Sequence, residues 1–180
     1  MTTAPTITTA RLTLRAFEIA DFPVFSAFYA SDRSKYCGGP ADPESSWRML
    51  ACEIGHWQLR GYGRWAVTLT DTGELIGNVG LWNPEGWPEP EIGWDIYEGF
   101  EGKGYATEAA TAARTYAYDV LGWDTVVSLI MPPNEHSKNV ARKMGAKFER
   151  MFNHVRFGEE EIWRHLSAAD LMDGGMEAYA

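Results

Sequence analysis

The chain has 180 residues, of which 45% are hydrophobic and 13% aromatic, so it can form one globular domain with a packed core. Its net charge of −9 comes from 25 acidic and 16 basic residues, which disfavours nucleic acid as a partner and is compatible with a basic substrate. A membrane-spanning helix needs about 18 or more apolar residues in a row, and neither such a run nor a signal-peptide pattern is present. We therefore expect no membrane span and a cytoplasmic location.

The predicted elements follow the order strand, two helices, three strands, helix, strand, helix, two strands. In chain order they cover residues 11–15, 22–30, 42–59, 64–70, 74–82, 91–97, 105–121, 125–131, 137–144, 148–156 and 160–166. The tail after Ala168 is weakly specified. Because hairpins are antiparallel and a strand–helix–strand unit at 91–131 is parallel, we expect a mixed sheet.

Local signals fix several of these boundaries. Asp42-Pro43-Glu44 is a strong helix start, and Gly61 is the matching stop. Asp21 is a candidate cap for the first helix. Gly93 interrupts its strand, and a glycine there marks a bulge or a close approach of backbone.

Cysteine and histidine spacing argues against a metal. Cys37 and Cys52 form no C-x-x-C pair, and the histidines show no H-x-x-x-H spacing. We predict neither a disulfide framework nor a bound metal ion.

A glycine-rich turn before the 105–121 helix is the strongest chemical signal. Such a turn exposes backbone N–H groups at the positive end of a helix dipole, which attracts phosphate. The turn fails the P-loop pattern, because Gly104 follows Lys103 where Ser or Thr is needed. It also fails the dinucleotide pattern, because Thr107 occupies the third glycine position.

The run Glu101-Gly102-Lys103-Gly104-Tyr105-Ala106 resembles the Q/R-x-x-G-x-A/G signature of the GNAT acyltransferases, which bind the pyrophosphate of coenzyme A. The longer GKGYATEA run is similar to the RimJ/RimL branch, which acetylates protein N-termini. Glu101 departs from the signature, and we expect its side chain to point away from the diphosphate. The likeness extends over about residues 11–166 and includes an N-x-x-S element at Asn134–Ser137.

The resemblance implies an α/β (α+β mixed) GNAT fold. Its central sheet would be mixed, mostly antiparallel and seven-stranded, flanked by about four helices, with splayed strands at the cofactor cleft. We expect one domain over residues 1–180, with its core at about 11–167.

The resemblance also implies acetyl-CoA as co-substrate. Its binding groups would be the backbone of Trp94, Asp95 and Ile96 for the pantetheine arm, with the Ile96 N–H a candidate to hold the thioester oxygen. Asn134 and Ser137 would lie near the sulfur. The diphosphate would bind the turn made of Gly102, Lys103, Gly104, Tyr105, Ala106 and Thr107.

Acetyl transfer to an amine needs a base, a stabilised oxyanion and a proton for the departing thiolate. Glu91 is the candidate base, with Glu85 and Glu89 as competitors. By resemblance to the serine of the N-terminal acetyltransferase branch, Ser137 is the candidate acid, although a serine at a helix start can also serve only as a cap. His136 is a weaker alternative.

The acceptor site should form from the first two helices and the 83–90 loop. Trp47, Trp57, Trp82 and Trp87 are available there, at least half of them as core residues. The acids that could attract a cationic amine are Asp32, Asp42, Glu44 and Glu85.

We therefore predict direct acetyl transfer in a ternary complex. The first choice of acceptor is a protein N-terminal α-amine. The alternatives are a small-molecule amine (an aminoglycoside, polyamine or amino acid derivative) and a non-catalytic acyl-CoA sensor. Exposed strand edges would allow a homodimer.

Overall fold

The structure is a computed structural model that describes residues 3–172. Within these residues a single sheet carries α-helices on both faces. The strands are β1 (Ile7–Thr8), β2 (Leu12–Arg15), β3 (Arg64–Leu69), β4 (Leu75–Trp82), β5 (Glu91–Ile96), β6 (Val127–Ile130), β7 (Lys147–His154) and β8 (Gly158–Arg164). The helices are α1 (Phe22–Ala30), α2 (Pro43–Arg60), α3 (Tyr105–Asp119), α4 (Glu135–Lys143) and α5 (Ala168–Met172), with short 3-10 segments at Ile19–Asp21 and Asp32–Tyr36.

The strands lie in the order β1-β2-β3-β4-β5-β6-β8-β7. Only β5 and β6 are parallel among these neighbours, which confirms the mixed, mostly antiparallel sheet. The described chain has eight strands rather than seven, because β1 pairs with β2 over two residues. So short a strand carries no periodic pattern that could reveal it. Helix α5, in the weakly specified tail, brings the α-helices to five.

The strands β5 and β6 separate almost as soon as they meet. Their ladder contains one pair, Glu91 opposite Val127. Just beyond it, the Ser128 hydroxyl donates to the Ile92 carbonyl at 2.7 Å and accepts from Nε2 of His165 at 2.9 Å. Burial lowers the pKa of His165 to about 3, so the imidazole is neutral. The predicted splay is confirmed, and a buried serine–histidine pair lies at the fork.

Helix ends follow their local chemistry, with exceptions. Asp42 accepts the Ser45 N–H at 2.7 Å, and α2 ends at Gly61, whose φ of 79° is left-handed. The predicted capping by Asp21 is wrong, because its carboxylate instead binds Arg15 at 2.7 and 2.8 Å.

Gly93 makes no bulge, and that part of the prediction is wrong. The β4–β5 ladder is continuous from Gly77 opposite Ile96 to Trp82 opposite Glu91. A Cβ placed on Gly93 would lie 2.1 Å from Nη2 of Arg64. The position is glycine because a guanidinium group, rather than another backbone, passes directly over it.

The core lies on both faces of the sheet. One cluster packs α3 against β2 to β5, with Trp65, Ile92 and Ala113 fully buried. The other packs α1 and α2 on the opposite face around Phe25 and Tyr29. Across residues 3–172 we find no helix with the length and apolarity needed to cross a bilayer.

Candidate active site

A cleft of about 640 Å³ opens beside the fork between β5 and β6. Its walls come from α2, the loop after α1, β5, β6, the start of α4 and the β7–β8 hairpin. Five predicted site residues line it: Glu91, Trp94, Asp95, Asn134 and Ser137. Gly104 and Thr107 line a separate groove that also contains Lys143. The remaining predicted residues line neither space: Ile96, Gly102, Lys103, Tyr105 and Ala106.

Glu91 is a buried carboxyl group held by two donors. The indole N–H of Trp87 donates to Oε2 at 2.6 Å, and the Leu129 backbone N–H donates to Oε1 at 3.3 Å. Burial raises the pKa of Glu91, whereas Arg64 and the hydrogen bond from Trp87 lower it. A carboxyl group with a raised pKa at the fork of two strands is a stronger base than an exposed glutamate.

The side chain of Asp95 has a structural partner. Nη1 of Arg64 lies 2.9 Å from its Oδ2, and the Tyr29 hydroxyl donates to the same oxygen at 3.0 Å. The side chains are only 14% and 3% exposed for Arg64 and Asp95, respectively. This pair forms the floor of the cleft.

The sequence did not single out two further carboxyl groups in the cleft. Glu53 on α2 and Glu160 on β8 are 6% and 7% exposed. Burial raises the pKa of each to about 7, with Glu91 adding to both shifts. A sequence signal for Glu53 does exist: a glutamate on the buried face of an amphipathic helix needs a partner or a ligand.

The start of α4 differs from the prediction. The helix begins at Glu135, and Asn134 is its cap, with Oδ1 accepting the Ser137 N–H at 3.2 Å. Ser137 is therefore not the capping residue. Its hydroxyl makes no hydrogen bond to another residue within 3–172, so it is available to a ligand in the cleft.

The glycine turn leaves the start of α3 without a capping side chain. Gly99, Gly102 and Gly104 have φ values of 87°, 72° and 82°, which side chains other than glycine rarely adopt. Gly104 is the N-cap of α3 and provides no side-chain cap. The first N–H groups of the helix thus lack a capping side chain, and open space surrounds the Cα of Gly102. This donor set fits a diphosphate.

Charged side chains surround the turn. Glu101 forms an ion pair with Arg33, whose Nη2 also donates to the Ile96 carbonyl at 3.3 Å. Lys103 folds back, and its ammonium group donates to the Gly99 carbonyl at 2.9 Å. The negative charge of Glu101 is therefore compensated within the protein.

The prediction of which residues form the acceptor site is only partly correct. Trp82 and Trp87 line the cleft, Trp57 is buried in the core, and Trp47 lies half-exposed against Phe22. Of the four acids expected to attract an amine, only Asp42 lines the cleft. The others lie outside it: Asp32, Glu44 and Glu85. The buried acidity comes instead from Glu53, Glu91, Asp95 and Glu160.

Within the described residues, no three His, Cys, Asp or Glu side chains form a group that could hold a metal ion. Both cysteines are free thiols that line the cleft. Burial raises the pKa of Cys37 well above its usual range, so its thiol is un-ionised at neutral pH.

Comparisons with known proteins agree with this geometry. The crystal structure of an acetyltransferase from Agrobacterium tumefaciens is 39% identical and superposes with a TM-score of 0.84 over 91% of this chain and 95% of that one. The uncharacterised N-acetyltransferase YnaD of Bacillus subtilis is 29% identical over 159 residues, 87% of this chain and 91% of YnaD. RimL, a ribosomal L7/L12 α-N-protein acetyltransferase, was solved in complex with coenzyme A. It shares the fold with a TM-score of 0.76 at 18% identity, over 92% of this chain and 100% of that one.

The family model described as an acetyltransferase (GNAT) domain matches residues 11–147. That span is more than half of the chain and contains both the glycine turn and the forked strands. The protein belongs to the GNAT family of acetyltransferases and is an acetyl-CoA-dependent N-acetyltransferase.

Proposed function

We propose that this protein moves the acetyl group of acetyl-CoA directly to a primary amine, with a protein N-terminal α-amine as the first acceptor to test. The observation that carries the proposal is Glu91, a buried carboxyl group at the fork between β5 and β6, in one cleft with Ser137. One domain, with a core over about residues 11–167, would perform the whole reaction, supported by the continuous sheet from Ile7 to Arg164.

The cofactor would lie between the glycine turn and the fork. The N–H groups from Gly102 to Thr107 suit its diphosphate. Within residues 3–172, β5 has no β6 partner beyond Glu91. The backbone groups of Trp94 to Ile96 that face this edge could pair with the amides of the pantetheine arm, although Arg33 already donates to the Ile96 carbonyl at 3.3 Å. When bound, acetyl-CoA supplies a thioester whose carbonyl carbon accepts a nucleophile.

The protein's own groups would manage two protons. Glu91 accepts one from the acceptor ammonium, which frees the nitrogen lone pair to form the new C–N bond. As the C–S bond breaks, Ser137 would donate its proton to the departing thiolate and regain, through water, the second proton that the acceptor nitrogen loses when it becomes an amide. Asn134, whose Oδ1 is fixed by the Ser137 N–H, holds that serine at the end of the cleft. Glu160 is the competing base, because its carboxyl group makes no hydrogen bond within the described chain.

A small-molecule amine is the second candidate, and one observation favours it. The loop after α1 and the β7–β8 hairpin approach each other over the cleft: a Cβ on Gly38 would lie 3.9 Å from Phe157. Contact between these two walls of the cleft favours a compact acceptor or the tip of an extended chain.

The test is thiol release from acetyl-CoA with short peptides that begin with Ser, Ala, Thr or Met, and with polyamines, aminoglycosides and free amino acids. Release with one peptide class alone supports the first acceptor, and release with small amines alone supports the second. In the active pairing, Glu91→Gln and Ser137→Ala should each lower kcat by about 100-fold with little change in the Kd for coenzyme A. Glu159→Gln, an exposed neighbour of Glu160, is the matched control. Full activity of Glu91→Gln together with inactivity of Glu160→Gln would move the base to Glu160.

A homodimer is also proposed, since β7 is an edge strand with Phe148 and Met151 about half exposed. Sedimentation equilibrium measures the mass. The absence of a metal, the absence of nucleic-acid binding and the cytoplasmic location stay predictions.

A further inference from the structure

The cleft contains more buried carboxyl groups than cations that pair with them. Its buried acids are Glu53, Glu91, Asp95 and Glu160, and its cations are Arg48, Arg64 and Arg156. Arg64 is committed to Asp95 at 2.9 Å. Arg48 forms an exposed pair with Glu44, and Arg156 lies exposed over the Phe157 ring. Within residues 3–172, none of Glu53, Glu91 and Glu160 has a cation within ion-pair distance.

Glu53 is the carboxyl group least satisfied by the protein. It projects from α2 into the cleft, and its Oε2 is fully buried without a hydrogen-bond partner among the described residues. Leaving a buried carboxyl oxygen without a donor is costly, so a group in such a position is normally paired or reserved for a ligand.

The three unpaired acids come from three different elements. Glu53 lies on α2, Glu91 on β5 and Glu160 on β8, and all three line the cleft. A single ammonium group carries one positive charge, so an acceptor amine at Glu91 leaves Glu53 without a cation of its own.

We propose that Glu53 is a second cation subsite in the acceptor cleft, so that the preferred acceptor carries another positive charge besides the amine that is acetylated. This inference rests on the proposed function. The same chemistry is offered by a diamine and by a peptide whose second residue is Lys or Arg. The aromatic walls of Tyr29 and Trp82 suit the methylene chain that would join the two charges.

The subsite should depend on pH. Because the pKa of Glu53 is about 7, its carboxylate forms as the pH rises through that value, while an alkyl diamine stays doubly charged. Preference for the second charge should therefore grow between about pH 6 and pH 8. Six charged or titratable groups interact electrostatically with Glu53: Arg64 on β3, Glu91 and Asp95 on β5, Tyr97 just after β5, Tyr29 on α1 and Cys52 on α2.

The experiment compares acceptors matched except for one charge. n-Butylamine is paired with 1,4-diaminobutane, and a Ser-Gln peptide with a Ser-Lys peptide, so that the two arms separate the two sources of the cation. Whichever pair the wild type acetylates, we expect the doubly charged acceptor of that pair to have a KM about tenfold lower than the singly charged one. Glu53→Gln should raise that KM about tenfold and leave the monocation within about twofold. Glu74→Gln, exposed between β3 and β4 and outside the cleft, is the control and should change neither.

Binding provides a second readout that does not depend on turnover. Calorimetry of wild-type protein with 1,4-diaminobutane and with the Ser-Lys peptide should show tighter binding at pH 8 than at pH 6, and Glu53→Gln should lose that difference. Equal KM values for mono- and dications, or an equal loss with both in Glu53→Gln, overturn the subsite. No acetyl transfer to any amine overturns the proposed function instead. If Glu53→Gln does not fold, the pH dependence of the wild-type preference decides.

Discussion

Gly93→Ala tests the floor of the cleft with a single added methyl group. That methyl would lie 2.1 Å from Nη2 of Arg64, so the guanidinium must move. The guanidinium is the far end of a flexible side chain, but it is buried and its Nη1 lies 2.9 Å from Asp95. Moving it separates the pair and leaves a nearly buried carboxylate with neutral partners, the Tyr29 hydroxyl at 3.0 Å and the Cys37 thiol. Breaking a buried ion pair costs about 3–5 kcal/mol. Because Asp95 keeps its hydrogen bond from Tyr29, we expect Gly93→Ala to lower the free energy of unfolding by about 3 kcal/mol.

The assay is urea unfolding followed by fluorescence. Gly55→Ala is the matched control, because its added Cβ meets nothing within 4 Å and lies inside α2. It should stabilise the protein by up to about 1 kcal/mol. In an Arg64→Met background the cost of Gly93→Ala should fall below about 1 kcal/mol, since the two changes act on one contact. A Gly93→Ala protein within about 0.5 kcal/mol of wild type would refute the reasoning.

Three further changes follow from the charges of the site. Glu53→Gln should change stability little at pH 4 and raise it at pH 8 by at most about 3 kcal/mol, measured by urea unfolding. The reason is that a carboxyl group whose folded pKa is raised to about 7 loses its stabilising proton as the pH rises above the unfolded value. Equal effects at both pH values contradict this. Arg33→Met leaves Glu101 uncompensated beside the glycine turn, so the Kd for coenzyme A should rise about fivefold by calorimetry, and adding Glu101→Gln should restore it. Trp87→Phe removes a donor to the Glu91 carboxylate, so the acidic limb of the kcat/KM profile should move to higher pH; a shift to lower pH would exclude Glu91 as the base.

Signals carried by neighbouring residues are readable from the sequence. The glycine turn depends on φ values that only glycine adopts readily, so Gly102 and Gly104 indicate the anion site without any tertiary contact. Asp42-Pro43 and Gly61 set the ends of α2 in the same local way. The order of elements and the family follow from such signals. The capping residue of α4 does not follow from such signals. Asn134 and Ser137 are both suitable caps, and in the structure Asn134 is the cap.

The chemistry of the cleft depends on contacts between distant segments, and only the tertiary structure decides these. The strand β8 enters the sheet between β6 and β7, and this order brings Glu160 close to Glu91. The reason for a glycine at 93 is a side chain from β3, and the partner of Glu101 comes from the segment after α1. Burial is also decided by tertiary structure. In the sequence Glu53 is an ordinary helix glutamate, but the packing of α2 on the sheet removes its carboxyl group from water. Burial then raises the pKa of Glu53, and its Oε2 has no hydrogen-bond partner in the described chain. The sequence by itself determines the family, the order of elements and the glycine turn before α3, because each rests on local signals. Packing alone decides which acids meet in the cleft.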